Sequence, residues 1–528
     1  MKQLLLGDEA IAQGAIDSGI SGVYAYPGTP STEIMEYIQH IEITQNIGIH
    51  CAWSTNEKTA MESALGMSYA GKRVIVCMKH VGLNVAADPF MNAAITGVNG
   101  GLMVVSADDP SMHSSQNEQD SRFFGKFALI PMLEPSTQQE AYDMVHYGLD
   151  LSETFKVPVL MRLTTRLAHS RTGITRKESL PQNLLNTPKN KSQFILLPAN
   201  ARLRYKNLLS LQKDFENKAF DSNFNQFTDN GDHQIGIIAC GIAINYVMEN
   251  AIDGKIKYPL LKISQYPVSK KIIDQISSVC KTILVFEDGY PFIEEQLKGL
   301  ISNNNVIKGR LSGDIPRDGE LNPSIVGNAL GIAPAETMKV PGIVVNRPPT
   351  LCKGCSHIDT FNALNEAIKT YTSDRVFSDI GCYTLGALPP FNSINTCVDM
   401  GASITMAKGA ADAGLVPAIA VIGDSTFTHS GMTGLLDAVI NNSTIKVIIC
   451  DNETTGMTGG QPSSATGRLE QICLGLGVKR EHLKVIVPLR KNHQDNIKIM
   501  TDEFEYKGLS VIISQRECIQ TASRNKKF

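Results

Sequence analysis

The chain has 528 residues, 42% hydrophobic and 19% charged, enough to bury sizeable cores in roughly three domains. Its formal net charge is −3, with no basic face or arginine-rich tail, which argues against a nucleic-acid partner. No stretch approaches the roughly 18 apolar residues that span a bilayer, and the opening "MKQLLLGDEAIAQ" is too short for a signal peptide, so a cytoplasmic protein with reduced thiols and no membrane partner is expected.

In chain order, residues 1–175 alternate short apolar runs with helical patterns. "VYAYPG" (23–28), "RVIVCM" (73–78), "GLMVVSAD" (101–108) and "VPVLMRL" (157–163) read as buried strands, and 57–70 as a helix. Strand, helix, strand in sequence argues a parallel, doubly wound sheet. Residues 176–233 are polar and rich in Asn, Gln and Lys, a connector expected to carry one helix near 203–217. From 234 to 338 the alternation resumes on a smaller scale, with strands "IGIIACG", "YPLLKIS" and "TILVFEDG" and helices at 242–251, near 268–278 and from about 291. A Pro-marked linker over 340–350 precedes a third domain, 345–528, with a helix at 357–370 and strands "RVFSDIG", "AIAVIGD", "KVIICDN" and "LSVIISQ". The first and third domains look alike in architecture. The expected fold class is α/β: two doubly wound parallel-sheet domains with a smaller α/β domain between them.

The third domain holds the sharpest local signal. One apolar strand stops at Gly423-Asp424-Ser425 and the next at Asp451-Asn452, so that Asp424 and Asn452 stand 28 residues apart, the length of a βαβ crossover. Such strand ends are where parallel sheets bind ligands. A carboxylate and an amide oxygen are hard ligands that suit Mg²⁺, which keeps a diphosphate and water in its shell. The carbonyl of Thr454 could supply a third oxygen, and Gly423 would let the backbone approach a phosphate. The plain alternative makes GDS a strand-to-turn cap and DN a β-turn; the pairing of the two at this spacing argues against it.

GDx…(D/N)N at this distance resembles the thiamine diphosphate motif, and "GMTGGQ" (456–461) resembles the stretch that follows it in 2-oxoacid:ferredoxin oxidoreductases. "YPGTPS" (26–31), "NEKTA" (56–60), "MKHVGLN" (78–84), "CKGCSH" (352–357) and "DIGCYTLGALPP" (379–390) are similar to the alpha subunits of indolepyruvate:ferredoxin oxidoreductases. The resemblance covers nearly the whole chain. It implies a pyrimidine-binding domain at 1–175, a transketolase-C-like domain at 234–338 and a diphosphate-binding domain at 345–528. It implies thiamine diphosphate and Mg²⁺ as cofactors, with Ser425, Met457 and Thr458 added to the cofactor contacts. The activity implied is oxidative decarboxylation of a 2-oxoacid to its acyl-CoA. The implied partners are a small beta subunit, ferredoxin and coenzyme A. Alpha subunits of that family usually carry a C-terminal ferredoxin-like domain with two further clusters. This sequence has no CxxCxxC run, so the expectation is a chain lacking that domain, with its electron acceptor left open.

The resemblance also assigns roles. Glu57 would bond to the pyrimidine N1′ of the cofactor; on residues alone it could instead be a capping-box Glu behind Ser54 and Thr55. Thr29 would approach the substrate carboxylate, while Ser31 suits the N-cap of a helix over 31–39. Lys79 and His80 follow a buried strand; either could orient a charged intermediate, or be a surface Lys and a satisfied His. Cys352 and Cys355 form a C-x-x-C, a signal for a metal or redox pair. With Cys382 and Cys518 in places comparable to those of related enzymes, they could hold one [4Fe–4S] cluster. Two other functions fit the same sequence: a non-oxidative thiamine diphosphate-dependent decarboxylase, against which the C-x-x-C and Cys382 argue, and a non-catalytic cofactor-binding regulatory subunit, against which the intact Glu57, Asp424 and Asn452 argue.

Overall fold

The computed structural model describes residues 2–190, 192–301, 305–332, 340–345, 349–371 and 374–525. The chain forms two compact units, Met1–Lys339 and Val340–Phe528.

The first unit is built on a seven-stranded sheet. Its strands lie in the order Gln265–Tyr266, Met132–Leu133, Val159–Thr164, Leu102–Asp108, Val74–Lys79, Gly22–Ala25 and His50–Trp53. All pairings are parallel except that of Gln265–Tyr266. The three central strands Val74–Lys79, Leu102–Asp108 and Val159–Thr164 are buried at every position, as continuous apolar runs covered on both faces must be. The four expected strands and the helix Glu57–Tyr69 all form. The connector departs from expectation. It folds as two helices, Pro198–Ser210 and Gln212–Asp221, because Leu208 on the first and Phe215 and Ala219 on the second each bury, with the break falling at Leu211.

A five-stranded sheet completes this unit: Val306–Lys308, Thr282–Phe286, Gly236–Cys240, Leu260–Ile263 and Gln226–Thr228, parallel except for the last. The chain leaving Leu260–Ile263 supplies Gln265–Tyr266 to the edge of the larger sheet, which ties the two together. Buried charge marks the same seam. Arg162 Nε binds Asp108 Oδ2 at 2.6 Å and its Nη1 binds Glu134 Oε1 at 2.5 Å, while Arg122 Nη1 reaches Glu287 Oε2 at 3.1 Å.

The second unit has one six-stranded, all-parallel sheet in the order Thr396–Cys397, Val376–Ser378, Ala418–Gly423, Ile445–Asp451, Ser510–Gln515 and Leu483–Ile486. Ala418–Gly423 and Ile445–Asp451 are buried throughout and adjacent, with Gly423 opposite Cys450. Their ends therefore lie side by side. The expected helix at 357–370 forms as Ser356–Ala367.

Candidate active site

In the second unit Asp424 begins a helical turn directly after its strand, and Asn452 follows the neighbouring strand. Asp424 is 2% exposed, and its Oδ2 is buried without a hydrogen-bond partner. Burial, then the nearby Asp451 carboxylate, pushes its carboxyl up to about 7, against the pull of Ser463. One end of the Asn452 carboxamide stands 3.2 Å from Asp424 Oδ1 and 2.8 Å from the Thr454 carbonyl oxygen. With the amide nitrogen there, it donates to both. With the oxygen there, held by the Thr454 N–H at 3.3 Å, three oxygens face one point. That second arrangement, together with the orphaned Asp424 Oδ2, fits an octahedral hard cation such as Mg²⁺.

Gly423 has an ordinary negative φ, and what its missing side chain admits is the ring of Tyr383: a Cβ there would lie 2.5 Å from Cε1. Tyr383 in turn donates to Asp379. The Thr455 hydroxyl donates to Ser425 Oγ at 3.0 Å, the Thr458 hydroxyl donates to Gln461 Oε1 at 2.7 Å, and Met457 is exposed. After Asp424–Thr426 the chain makes a π-helical turn, Phe427–Gly431, a feature that recurs at functional sites and that no periodicity in the sequence announced.

The four cysteines singled out above share one neighbourhood in this unit. Cys382 borders the loop after Asn452, for a Cβ on Gly456 would lie 3.1 Å from its Sγ. The N–H of Cys518 donates to the Asn452 carbonyl at 3.0 Å. The Cys352–Cys355 turn closes with the Cys355 N–H on the Cys352 carbonyl at 2.9 Å, and Arg516 pins it through the Gly354 carbonyl and Asp359. Burial pushes the Cys382 thiol up to about 12, and Cys355, Cys518 and Cys352 add to that rise. Four cysteine thiols gathered around one loop are the donor set that an iron–sulfur cluster uses, with the bound iron favouring the thiolate that burial alone disfavours, so the residues present fit such a cluster.

In the first unit the turns after Gly22–Ala25, His50–Trp53 and Val74–Lys79 lie at one sheet edge, because those strands are parallel neighbours. Glu57 is 5% exposed and opens the helix Glu57–Tyr69. It does not cap that helix: the Asn56 side chain accepts from the Thr59 N–H at 2.8 Å, so the capping alternative for Glu57 falls away. Its carboxylate packs on Gly82 instead, where a Cβ would meet Oε1 at 2.4 Å.

Thr29 is half-buried in a turn whose Gly28 packs on Lys79. Ser31 holds the N-cap position of the helix Thr32–Gln45, yet its hydroxyl donates backward to the Gly28 carbonyl at 2.7 Å and makes no capping bond. Lys79 is buried, contrary to a surface role. Its Nζ donates to the Ser114 carbonyl at 2.9 Å, and burial lowers its pKa to about 8, against Asp109. His80 is 1% exposed, with Nε2 3.2 Å from the Asn117 carbonyl and Nδ1 without a partner. The sequence reading missed Gly82, Tyr383 and Ser463; the motifs "MKHVGLN" and "DIGCYTLGALPP" contained the first two without saying what they touch.

Residues 13–201 match the family described as "Pyruvate flavodoxin/ferredoxin oxidoreductase, thiamine diP-bdg", and residues 379–478 match "Thiamine pyrophosphate enzyme, C-terminal TPP binding domain". A solved structure of 2-oxoglutarate:ferredoxin oxidoreductase from Magnetococcus marinus, with 2-oxoglutarate, coenzyme A and succinyl-CoA bound, superposes with a TM-score of 0.53 at 18% identity, over 62% of this chain and 65% of that one, which shows a shared fold. Fold and family matches together define a thiamine diphosphate-dependent 2-oxoacid oxidoreductase. Indolepyruvate oxidoreductase subunit IorA of Archaeoglobus fulgidus is 37% identical over 100% of this chain and 88% of its own length; that of Pyrococcus horikoshii is 37% identical over 98% and 86%. The chain belongs to the family of indolepyruvate oxidoreductase subunit IorA. Among the described residues, no helix is long and apolar enough to cross a membrane.

Proposed function

We propose that the chain catalyses oxidative decarboxylation of an aryl 2-oxoacid such as indolepyruvate to its acyl-CoA, with electrons leaving through one [4Fe–4S] cluster to ferredoxin. The observation that carries this reading is the meeting of the Asp424, Asn452 and Thr454 oxygens with four cysteines around one loop. The relatives' name supports the substrate class, and its word "subunit" supports a partner chain, which in this reading is a small beta subunit. Residues 1–175 would form the pyrimidine-binding domain, 176–233 the connector, 234–338 the transketolase-C-like domain and 345–528 the diphosphate-binding domain. The cytoplasm is the proposed setting.

Bound thiamine diphosphate supplies the carbanion chemistry by which a 2-oxoacid loses CO₂. Asp424, Asn452 and the Thr454 carbonyl would hold Mg²⁺ against its diphosphate, with Gly423, Ser425, Met457 and Thr458 beside it. Glu57 would hold a proton at the pyrimidine N1′. Thr29 would orient the substrate carboxylate. His80 would set a polar atom, its Nδ1, at the same sheet edge. Cys352, Cys355, Cys382 and Cys518 would hold the iron that accepts electrons one at a time.

Purification without oxygen, with iron, sulfide and thiamine diphosphate quantified, tests the reading. About four iron and four sulfide per chain, together with the cofactor, are expected. Cofactor and decarboxylation without iron would replace it with the non-oxidative reaction.

A further inference from the structure

Away from the cysteines, the helix Gly7–Asp17, the helix Thr32–Gln45 and the short helix Thr165–His169 bring together Asp8, Glu33 and His169. One ligand atom from each lies within 4.8 Å of the other two. Glu33 Oε1 stands 3.7 Å from His169 Nε2. Asp8 is 0% exposed, and neither of its carboxylate oxygens has a hydrogen-bond partner; Glu33 Oε2 is likewise buried and unpartnered. A fully buried carboxylate aimed at a second one, with no donor for either of its oxygens, requires a positive charge or a proton between them.

The scaffold around the three is tight. Gly7 donates to the Ser170 carbonyl at 3.2 Å, which sets Asp8 beside the end of the His169 helix. A Cβ on Gly7 would lie 2.2 Å from the Leu167 carbonyl oxygen, so only glycine allows that approach. His169 is partly exposed, which leaves an open side facing solvent.

We propose that Asp8, Glu33 and His169 form a binding site for a divalent transition cation of the Zn²⁺ class. An imidazole nitrogen with two carboxylates is a borderline donor set that favours Zn²⁺ over the all-oxygen preference of Mg²⁺. Metal–ligand bonds of about 2.0–2.2 Å put tetrahedral ligand atoms roughly 3.3 Å apart, so a small inward movement from the present spacing closes the site. Water from the open side would fill the fourth position. The cation would tie the helix that follows the Thr29 turn to the two helices beside it.

Equilibrium dialysis against Zn²⁺ alone tests this. The full chain is first stripped with a chelator, then saturated with Mg²⁺ and thiamine diphosphate; wild type, Asp8→Asn and His169→Ala are compared. Zinc held by cysteines is common to all three proteins, so the difference reports this site. Loss of about one equivalent in both variants, with zinc raising the melting temperature of the wild type by more than that of either variant, is expected. His169 is partly exposed, so His169→Ala should fold even if the buried Asp8→Asn does not. Equal zinc stoichiometry in wild type and His169→Ala would overturn the proposal. So would an Asp8→Asn protein that melts higher and keeps every zinc equivalent, since the two carboxyl groups then share only a proton.

Discussion

The Glu57 carboxylate occupies the space that a side chain at position 82 would need: a Cβ on Gly82 would lie 2.4 Å from Glu57 Oε1 and 2.7 Å from its Cγ. The carboxylate is the mobile end of its side chain, so the fold can accommodate Gly82→Ala by moving it. A proton held at a defined atom cannot tolerate that movement. Gly82→Ala should therefore bind thiamine diphosphate and melt within a few degrees of wild type, yet slow exchange of the cofactor C2 proton by about 100-fold. Glu57→Gln should slow it at least as much. Proton exchange followed by NMR measures both, and wild-type rates in Glu57→Gln would remove Glu57 from the mechanism.

The oxygens around Asp424 are unequal in charge, so their loss should be unequal. Asp424→Ala removes the anionic ligand and should weaken thiamine diphosphate binding by roughly 100-fold or more. Asn452→Ala removes a neutral oxygen and should cost about 10-fold. Calorimetric titration of the cofactor in Mg²⁺ orders the two. Wild-type affinity in Asp424→Ala would mean that the diphosphate sits elsewhere.

Lys79 predicts a pH dependence. Its folded pKa of about 8 lies below the ordinary 10.5 because of burial. Between those values the unfolded chain binds more protons than the folded one, so stability rises with pH across that window. The contribution is at most about 3 kcal/mol. Lys446, buried in the second unit and also lowered to about 8, acts in the same window, so the informative comparison is between variants. Lys79→Met should flatten part of the rise in melting temperature between pH 8 and 10. An unchanged profile would mean that the buried amine is already solvated.

The buried seam of the first unit predicts a loss of stability. Arg162→Met leaves Asp108 without its guanidinium partner and Glu134 with only Arg122, 3.5 Å away, and should destabilise the protein by roughly 3–5 kcal/mol. Denaturant unfolding monitored by circular dichroism checks this.

The strands that the sequence disclosed are those buried on both faces, such as Val74–Lys79, because a continuous apolar run is its own signature. His50–Trp53 escaped notice: it lies at the sheet edge, is short, and is only partly buried. The Asp424–Asn452 pair was legible because two adjacent strand ends lie one crossover apart in sequence. The contacts of Gly82 with Glu57, Gly423 with Tyr383, and Arg162 with Glu134 were not, since each joins positions whose nearness depends on the finished sheets. Lys79 shows the same limit: a lysine after a strand reads as solvated until Ser114 is seen over it.

The proposed cluster predicts that iron is held jointly by the four cysteines. Cys518→Ala, purified without oxygen, should lose most of its iron and the broad visible absorbance of thiolate-bound iron while retaining thiamine diphosphate. Unchanged iron would make Cys518 a bystander to a cluster held by the other three.

The most direct test of the account is turnover of the complete enzyme. The chain, purified without oxygen with the proposed small beta subunit, is given indolepyruvate, coenzyme A, thiamine diphosphate and oxidised ferredoxin. CO₂, acyl-CoA and reduced ferredoxin are then measured together. The account predicts equal amounts of CO₂ and acyl-CoA, with about two one-electron ferredoxins reduced for each. Release of CO₂ with the aldehyde as product, and ferredoxin left oxidised, would contradict it.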